Sequence, residues 1–203
     1  MFRIRVLVAI AVVGTVIGAG ALGAGASRLN AKANTVSADK YATSLCTSLS
    51  TWTSDINAAS SGLSTKLGKV KNGTDAKKVV VSFLQSTVTR TDKLIKQIDT
   101  GGVPKTKNGA SFAKALHDGL VKARGLFQTA ANDGKKLPTS TPSAFNQAMS
   151  KISTGLQQGS TDIAAALTTA STQQPSPELT AAFSSNAACT KLGSSAPTST
   201  STP

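Results

Sequence analysis

Apolar residues recur at steps of three and four along most of this chain, and they fall into five runs. The first goes from Tyr41 to Leu67 through Leu45, Cys46, Leu49, Trp52, Ile56 and Leu63. Such spacing places the apolar side chains on one face of a helix; a strand would alternate at every residue. Gly68 to Gly73 interrupts this run with Lys69, Lys71 and Asn72. The second starts at Thr74 or Asp75, steps through Val81, Leu84, Val88, Thr91, Ile95 and Ile98, and stops at Gly101-Gly102. Val79-Val80-Val81 favours a strand locally, but the length of the periodic run favours a helix. The third spans about Ala110 to Asn132 on Phe112, Leu116, Leu120, Ala123 and Phe127, and Gly134 and Pro138 end it. Thr141-Pro142 opens the fourth, with Thr as N-cap and Pro at the first helical position. Phe145, Met149, Ile152, Leu156 and Ile163 carry it to Ala170, a length of roughly 45 Å. After a polar turn at Gln173-Gln174-Pro175, Ser176-Pro177-Glu178 opens one short last helix on Leu179, Ala182, Phe183, Cys189 and Leu192.

Four long amphipathic segments joined by short turns predict an all-α fold: an antiparallel four-helix-type bundle plus a short C-terminal fifth helix. Steps of this kind favour shallow crossings near ~20°. Gly155 and Gly159 would let a neighbouring helix approach closely. The two cysteines, Cys46 and Cys189, fall in the first and last helices, so a bridge between them would close the domain. The alternative is two separate buried thiols, and the N-terminal segment bears on that choice.

Arg3 and Arg5 precede an apolar run from Val6 to Ile17, and small residues follow from Gly18 to Ala26. Basic, apolar and small-residue regions in that order make a secretory signal. Cleavage fits after Ala26 or after Ala33; an uncleaved anchor is the rival, because Val6 to Ala26 carries no charge. Both place the rest of the chain outside the cytoplasm, where paired cysteines oxidise. The expected organisation is a signal peptide over residues 1–33, a helical domain over 34–193 and a Ser/Thr/Pro tail over 194–203. The expected location is secreted or in the cell envelope.

Charge sharpens this picture. The chain carries +13, from 22 Lys+Arg against 9 Asp+Glu. Residues 66–136 hold 15 of the bases and 5 of the acids, so the whole surplus of the exported part lies there. It clusters at Lys66/Lys69/Lys71, Lys77/Lys78, Lys105/Lys107 and Lys135/Lys136, mostly at helix ends. Lys69, Lys71, Lys77, Lys78, Lys105 and Lys107 are expected to form a basic surface for an anionic envelope polymer or membrane headgroups. A solvated surface that only aids solubility is the plain alternative. Lys far outnumbers Arg in this region, which suits diffuse attraction better than bidentate phosphate recognition. Nucleic acid is not expected as a partner, because the basic loops hold no aromatic residues for base stacking.

No catalytic chemistry is expected. Asp99-Thr100-Gly101 matches the aspartic-protease triplet, but it closes a helix and has no second copy. His117 is the one histidine. A Ser-His-Asp triad would have to use it, but it falls beside the apolar stripe of the third helix, next to Leu116, with no Gly-x-Ser-x-Gly motif. No Cys/His cluster exists for zinc. Neither cofactor nor metal is expected. Asn72-Gly73-Thr74 matches the N-glycosylation acceptor pattern, which matters only in a eukaryotic secretory pathway. Trp52, on the apolar face of the first helix, reads as a core residue or an interface anchor. Three functions stay open: envelope association through the basic surface, carriage of a lipid or other apolar molecule inside the bundle, and inhibition or partnering of an extracellular protein.

The long Ala/Gly-rich signal, the Tyr41-x4-Cys46-x5-Trp52 start, the closing Cys189 and the Ser/Thr/Pro tail together resemble the uncharacterised small secreted helical proteins of high-GC Gram-positive bacteria. The resemblance implies an envelope or extracellular setting and supplies no activity and no site residues.

Overall fold

A computed structural model describes residues 34–172 and 176–194. The proposed signal, the Gln173–Pro175 turn and the tail beyond Ser194 lie outside the described residues. The chain forms β1 (Thr35–Val36), α1 (Ala38–Lys69), α2 (Gly73–Gly101), β2 (Val103–Pro104), α3 (Gly109–Gly134), α4 (Pro142–Thr172), α5 (Pro177–Ser185) and α6 (Ala187–Ser194). The expected helical class and the disulfide between Cys46 and Cys189 are both present.

Local chemistry sets the helix ends. The first N–H groups of a helix lack intrahelical partners, and a side-chain oxygen just before the helix supplies one. Ser37 accepts from the Lys40 N–H, Asn72 from Asp75, Thr141 from Ala144 and Ser176 from Leu179. Asn72 also donates its amide to the Asp75 carboxylate at 2.9 Å, so the nitrogen of the glycosylation pattern is engaged at a helix start. At the other end of α2, Gly102 turns the chain with φ of 88°, a region that glycine enters without steric cost.

The apolar stripes close into two cores, one toward each end of the long helices. The first joins the end of α1 (Leu63, Leu67), the start of α2 (Ala76, Val80, Leu84), the end of α3 (Ala130, Ala131) and the start of α4 (Phe145, Ile152). The second joins the start of α1 (Tyr41, Leu45), the end of α2 (Leu94, Ile98), the start of α3 (Phe112, Leu116, Leu120) and Leu179 of α5. On α2, Val80 and Leu94 are fully buried, while their neighbours Val81 and Ile95, expected on the stripe, are half-buried at its edge. The closest packing is between α3 and α4, α1 and α2, and α2 and α3; α5 and α6 lie against α1. Phe183 of α5 meets Tyr41 and Phe112 at ring-centre distances of 6.5 and 5.6 Å.

Three features correct the sequence expectation. The last helix is two helices, because Asn186 leaves helical geometry and its side-chain oxygen accepts from the Ala188 and Cys189 N–H groups. That side chain therefore starts a new helix, α6, rather than riding through an old one. Residues 35–36 pair in parallel with residues 103–104, tying the segment before α1 to the α2–α3 connection. Gly155 faces open space and holds no neighbour close, and the side chain position of Gly159 lies outside the description.

Tyr41 is 1 % exposed, and its hydroxyl has no hydrogen-bond partner among the described residues. It borders a shallow surface hollow with Ser44, Leu45, Ile98 and Gly101, too narrow for a water molecule. Burial pushes the phenol above the ordinary tyrosine range. An unpaired buried hydroxyl costs about 1–3 kcal/mol. Tyr41→Phe should therefore leave the domain as stable or make it about 1 kcal/mol more stable. A drop in the urea midpoint would show that the hydroxyl has a partner.

Candidate functional site

The α1–α2 turn, the start of α2 and the α3–α4 connection meet at one end of the molecule. A Cβ on Gly73 would sit 2.8 Å from the Thr139 carbonyl oxygen, so only glycine lets these two segments touch. Leu137, 2 % exposed, plugs the first core from the same connection. This end carries Lys66, Lys69, Lys71, Lys77, Lys78, Lys135 and Lys136, against Asp75 and Asp133.

Two of those lysines are neutralised locally. Lys78 lies 3.5 Å from Asp75 and Lys136 lies 3.6 Å from Asp133. Among the described residues, no carboxylate comes within ion-pair distance of Lys66, Lys69, Lys71, Lys77 or Lys135. All five reach solvent, Lys77 the least.

Lys105 and Lys107 are elsewhere. They sit in the α2–α3 connection beside β1, where the Lys105 N–H donates to the Val36 carbonyl at 2.7 Å. The 29 residues of α2 separate the two groups, a distance of roughly 40 Å. The six lysines proposed as one basic surface therefore form two groups at opposite ends. From the sequence, Lys135/Lys136 stood as a cluster apart from Lys66/Lys69/Lys71. The contact of Gly73 with Thr139 is what places the first and third connections at a shared end.

The arginines have another task. Arg90 of α2 pairs with Asp55 of α1 at 2.9 Å. Arg124 of α3 grips Asp92 of α2 with two nitrogens, at 2.8 and 3.2 Å. These contacts stitch three helices side by side at mid-length, and the forked Arg124–Asp92 contact is a geometry that lysine's single ammonium does not reproduce. They also occupy two of the few acids, which keeps those acids away from the lysines.

A second polar cluster lies toward the Lys105 end. His117 places Nε2 at 3.6 Å from Asp99 and Nδ1 at 3.5 Å from Asp118, and Lys114 also bonds Asp118. Partial burial raises the Asp118 carboxyl, but the hydrogen bonds and charges of Lys114 and His117 outweigh it and hold the group below the usual carboxylate range. Asp99 accepts from the Gly102 N–H through its carbonyl at the end of α2, and its carboxylate faces His117 instead of a second catalytic acid. Among the described residues, no group of His, Cys, Asp or Glu could hold a metal ion.

Trp52 is half-buried on the α1–α2 seam. It packs on the second core and donates from Nε1 to Thr91 Oγ1 at 3.3 Å. Thr91, fully buried, donates in turn to the Thr87 carbonyl. Its indole is thus committed to α2. Cys46 is buried and Cys189 half-buried, joined as α1 to α6. The hollow beside Tyr41 is far smaller than the several hundred Å³ that a small-molecule site encloses.

Comparison of the chain with family models, curated proteins and solved structures gave no match.

Proposed function

We propose that this is an exported, non-enzymatic protein whose lysine-bearing end attaches it to an anionic component of the cell envelope. The observation that carries this reading is the group of five lysines without a carboxylate partner, drawn together by three separate segments at one end. In this reading residues 1–33 act as an export signal, and α1–α4 form an antiparallel four-helix bundle that presents the end. The bridge between α1 and α6 supports export, because oxidised cysteine pairs persist mainly outside the reducing cytoplasm. The shared membership of alternate helix ends in each core supports the bundle.

Sedimentation of the purified protein with anionic vesicles and with cell-wall fragments tests attachment. Binding at low salt that disappears at high salt is expected, since exposed charges are screened beyond roughly 10 Å at 0.1 M. No binding at either salt would sink the reading and turn the lysine surplus into a solubility feature. Partnership with an extracellular protein remains the second reading, with Trp52 weaker as its anchor because the indole already bonds Thr91.

A further inference from the structure

We infer that the occupant of the lysine-bearing end is a linear polyanion, a chain of repeating phosphodiester or carboxylate groups, and not a flat anionic membrane; this rests on the attachment proposed above.

Three observations favour a thread over a plane. The first is depth. Lys71 and Lys135 lie in the connections, whereas Lys77 stands about one turn into α2. Exposed Lys151 continues the positive charge nine residues into α4, roughly 14 Å from its start. A plane resting on the end would leave Lys151 beyond the screening length of roughly 8 Å at physiological salt. A flexible chain can follow the charge around the corner.

The second is direction. Lys77 and Lys78 are neighbours on one helix, so their side chains leave it about 100° apart. Lys66 and Lys69 leave α1, and Lys135 leaves the α3–α4 connection. The charges therefore leave three separate segments and, on α2, in two directions.

The third is the lack of an apolar wedge. Leu67 and Leu137 are buried, and Val70 is half-buried against the first core. The exposed large apolar side chain among the described residues, Val121, lies midway along α3. Folded domains and helices that settle on bilayers bury apolar side chains at the headgroup boundary as well as offering charge, and this end offers charge alone.

The test uses the full exported chain with two probes: long-chain polyphosphate and vesicles of equimolar phosphatidylglycerol and phosphatidylcholine, at matched phosphate concentration. Two variants remove the same charge. One is Lys69→Gln/Lys71→Gln/Lys77→Gln/Lys135→Gln; the other, at the opposite end, is Lys93→Gln/Lys96→Gln/Lys105→Gln/Lys107→Gln. All eight lysines lie on the surface, and a thermal melt confirms that each variant is folded. The native chain should bind polyphosphate with a slope of log K against log salt of about −3.5, from roughly 0.7 per neutralised charge for five charges. The first variant should bind at least tenfold more weakly, and the second within twofold of the native chain. Equal losses in the two variants would overturn the inference, because net charge alone would then suffice. Vesicle binding as tight as polymer binding would also overturn it while leaving envelope attachment standing. Failure of both probes would remove both.

Discussion

Reducing the Cys46–Cys189 bridge should lower the stability of the domain by several kcal/mol and release α6 before any of the longer helices. The bridge closes a loop with a sequence separation of 143 residues. In the chain-entropy account, closing a loop of that size restricts the unfolded chain by up to about 5 kcal/mol. Whole domains are stable by only about 5–15 kcal/mol, so the loss is a large fraction of the total. The order of release follows from packing. α5 buries Leu179 and Ala182 and sets Phe183 against Tyr41 and Phe112. The described residues of α6 include none that is fully buried. Beyond the bridge, α6 is held near α1 by the Asn186 amide, which donates to Thr43 Oγ1 at 2.9 Å. Urea unfolding with and without reductant measures the first effect, and amide exchange measures the second. A reduced protein with an unchanged midpoint, or with equal exchange over 177–185 and 187–194, would contradict the expectation.

The second large effect is expected at Gly102. Its φ of 88° and ψ of −166° lie where essentially only glycine goes. A Cβ there would sit 2.4 Å from the Asn34 carbonyl oxygen and 3.1 Å from Val36 Cγ1. Gly102→Ala must therefore twist the backbone, at about 1–3 kcal/mol, and push β1 away. That would break the hydrogen bonds from Val103 to Asn34 and from Lys105 to Val36, each contributing about 1 kcal/mol. A total loss of about 3–5 kcal/mol is expected. Gly125 is the control: it lies inside α3 with nothing near its would-be Cβ. Gly125→Ala should raise stability by up to about 1 kcal/mol. Thermal melts of the two variants compare them directly, and equal shifts would mean that the β1 tie carries no weight.

The helices were legible in the sequence because each buries one face, and burial of one face imposes the three-and-four spacing seen from Tyr41 to Leu67 and from Phe145 to Leu156. The caps were legible at Thr141 and Ser176 for the same local reason. The β1–β2 pair was not legible. It has two residues on each side and arises because the segment before α1 lands on a connection some seventy residues away, a tertiary event with no periodic trace. Asn186 shows a subtler failure. The stripe from Leu179 to Leu192 continues through it, so periodicity reads one helix, while the cap chemistry of the asparagine ends one and begins another. At the candidate site, composition identified the lysines but not their grouping. Whether two loops share an end depends on how many helices separate them, and one helix separates Lys71 from Lys105 while two bring Lys71 back beside Lys135.

The bridge between α1 and α6 also decides how the molecule carries load. Its outermost described residues, Asn34 and Ser194, each lie within a dozen residues of a bridged cysteine. Tension applied between them would run from residue 34 to Cys46, across the sulfur atoms, and from Cys189 to residue 194. The part of α1 beyond Cys46, α2, α3, α4 and the lysine-bearing end would bear none of it. Pulled in this way, the oxidised protein would extend only to the contour of its two short arms, on the order of 60 Å at about 3.5 Å per residue, and the lysine-bearing end would stay folded under a force that strips the arms straight.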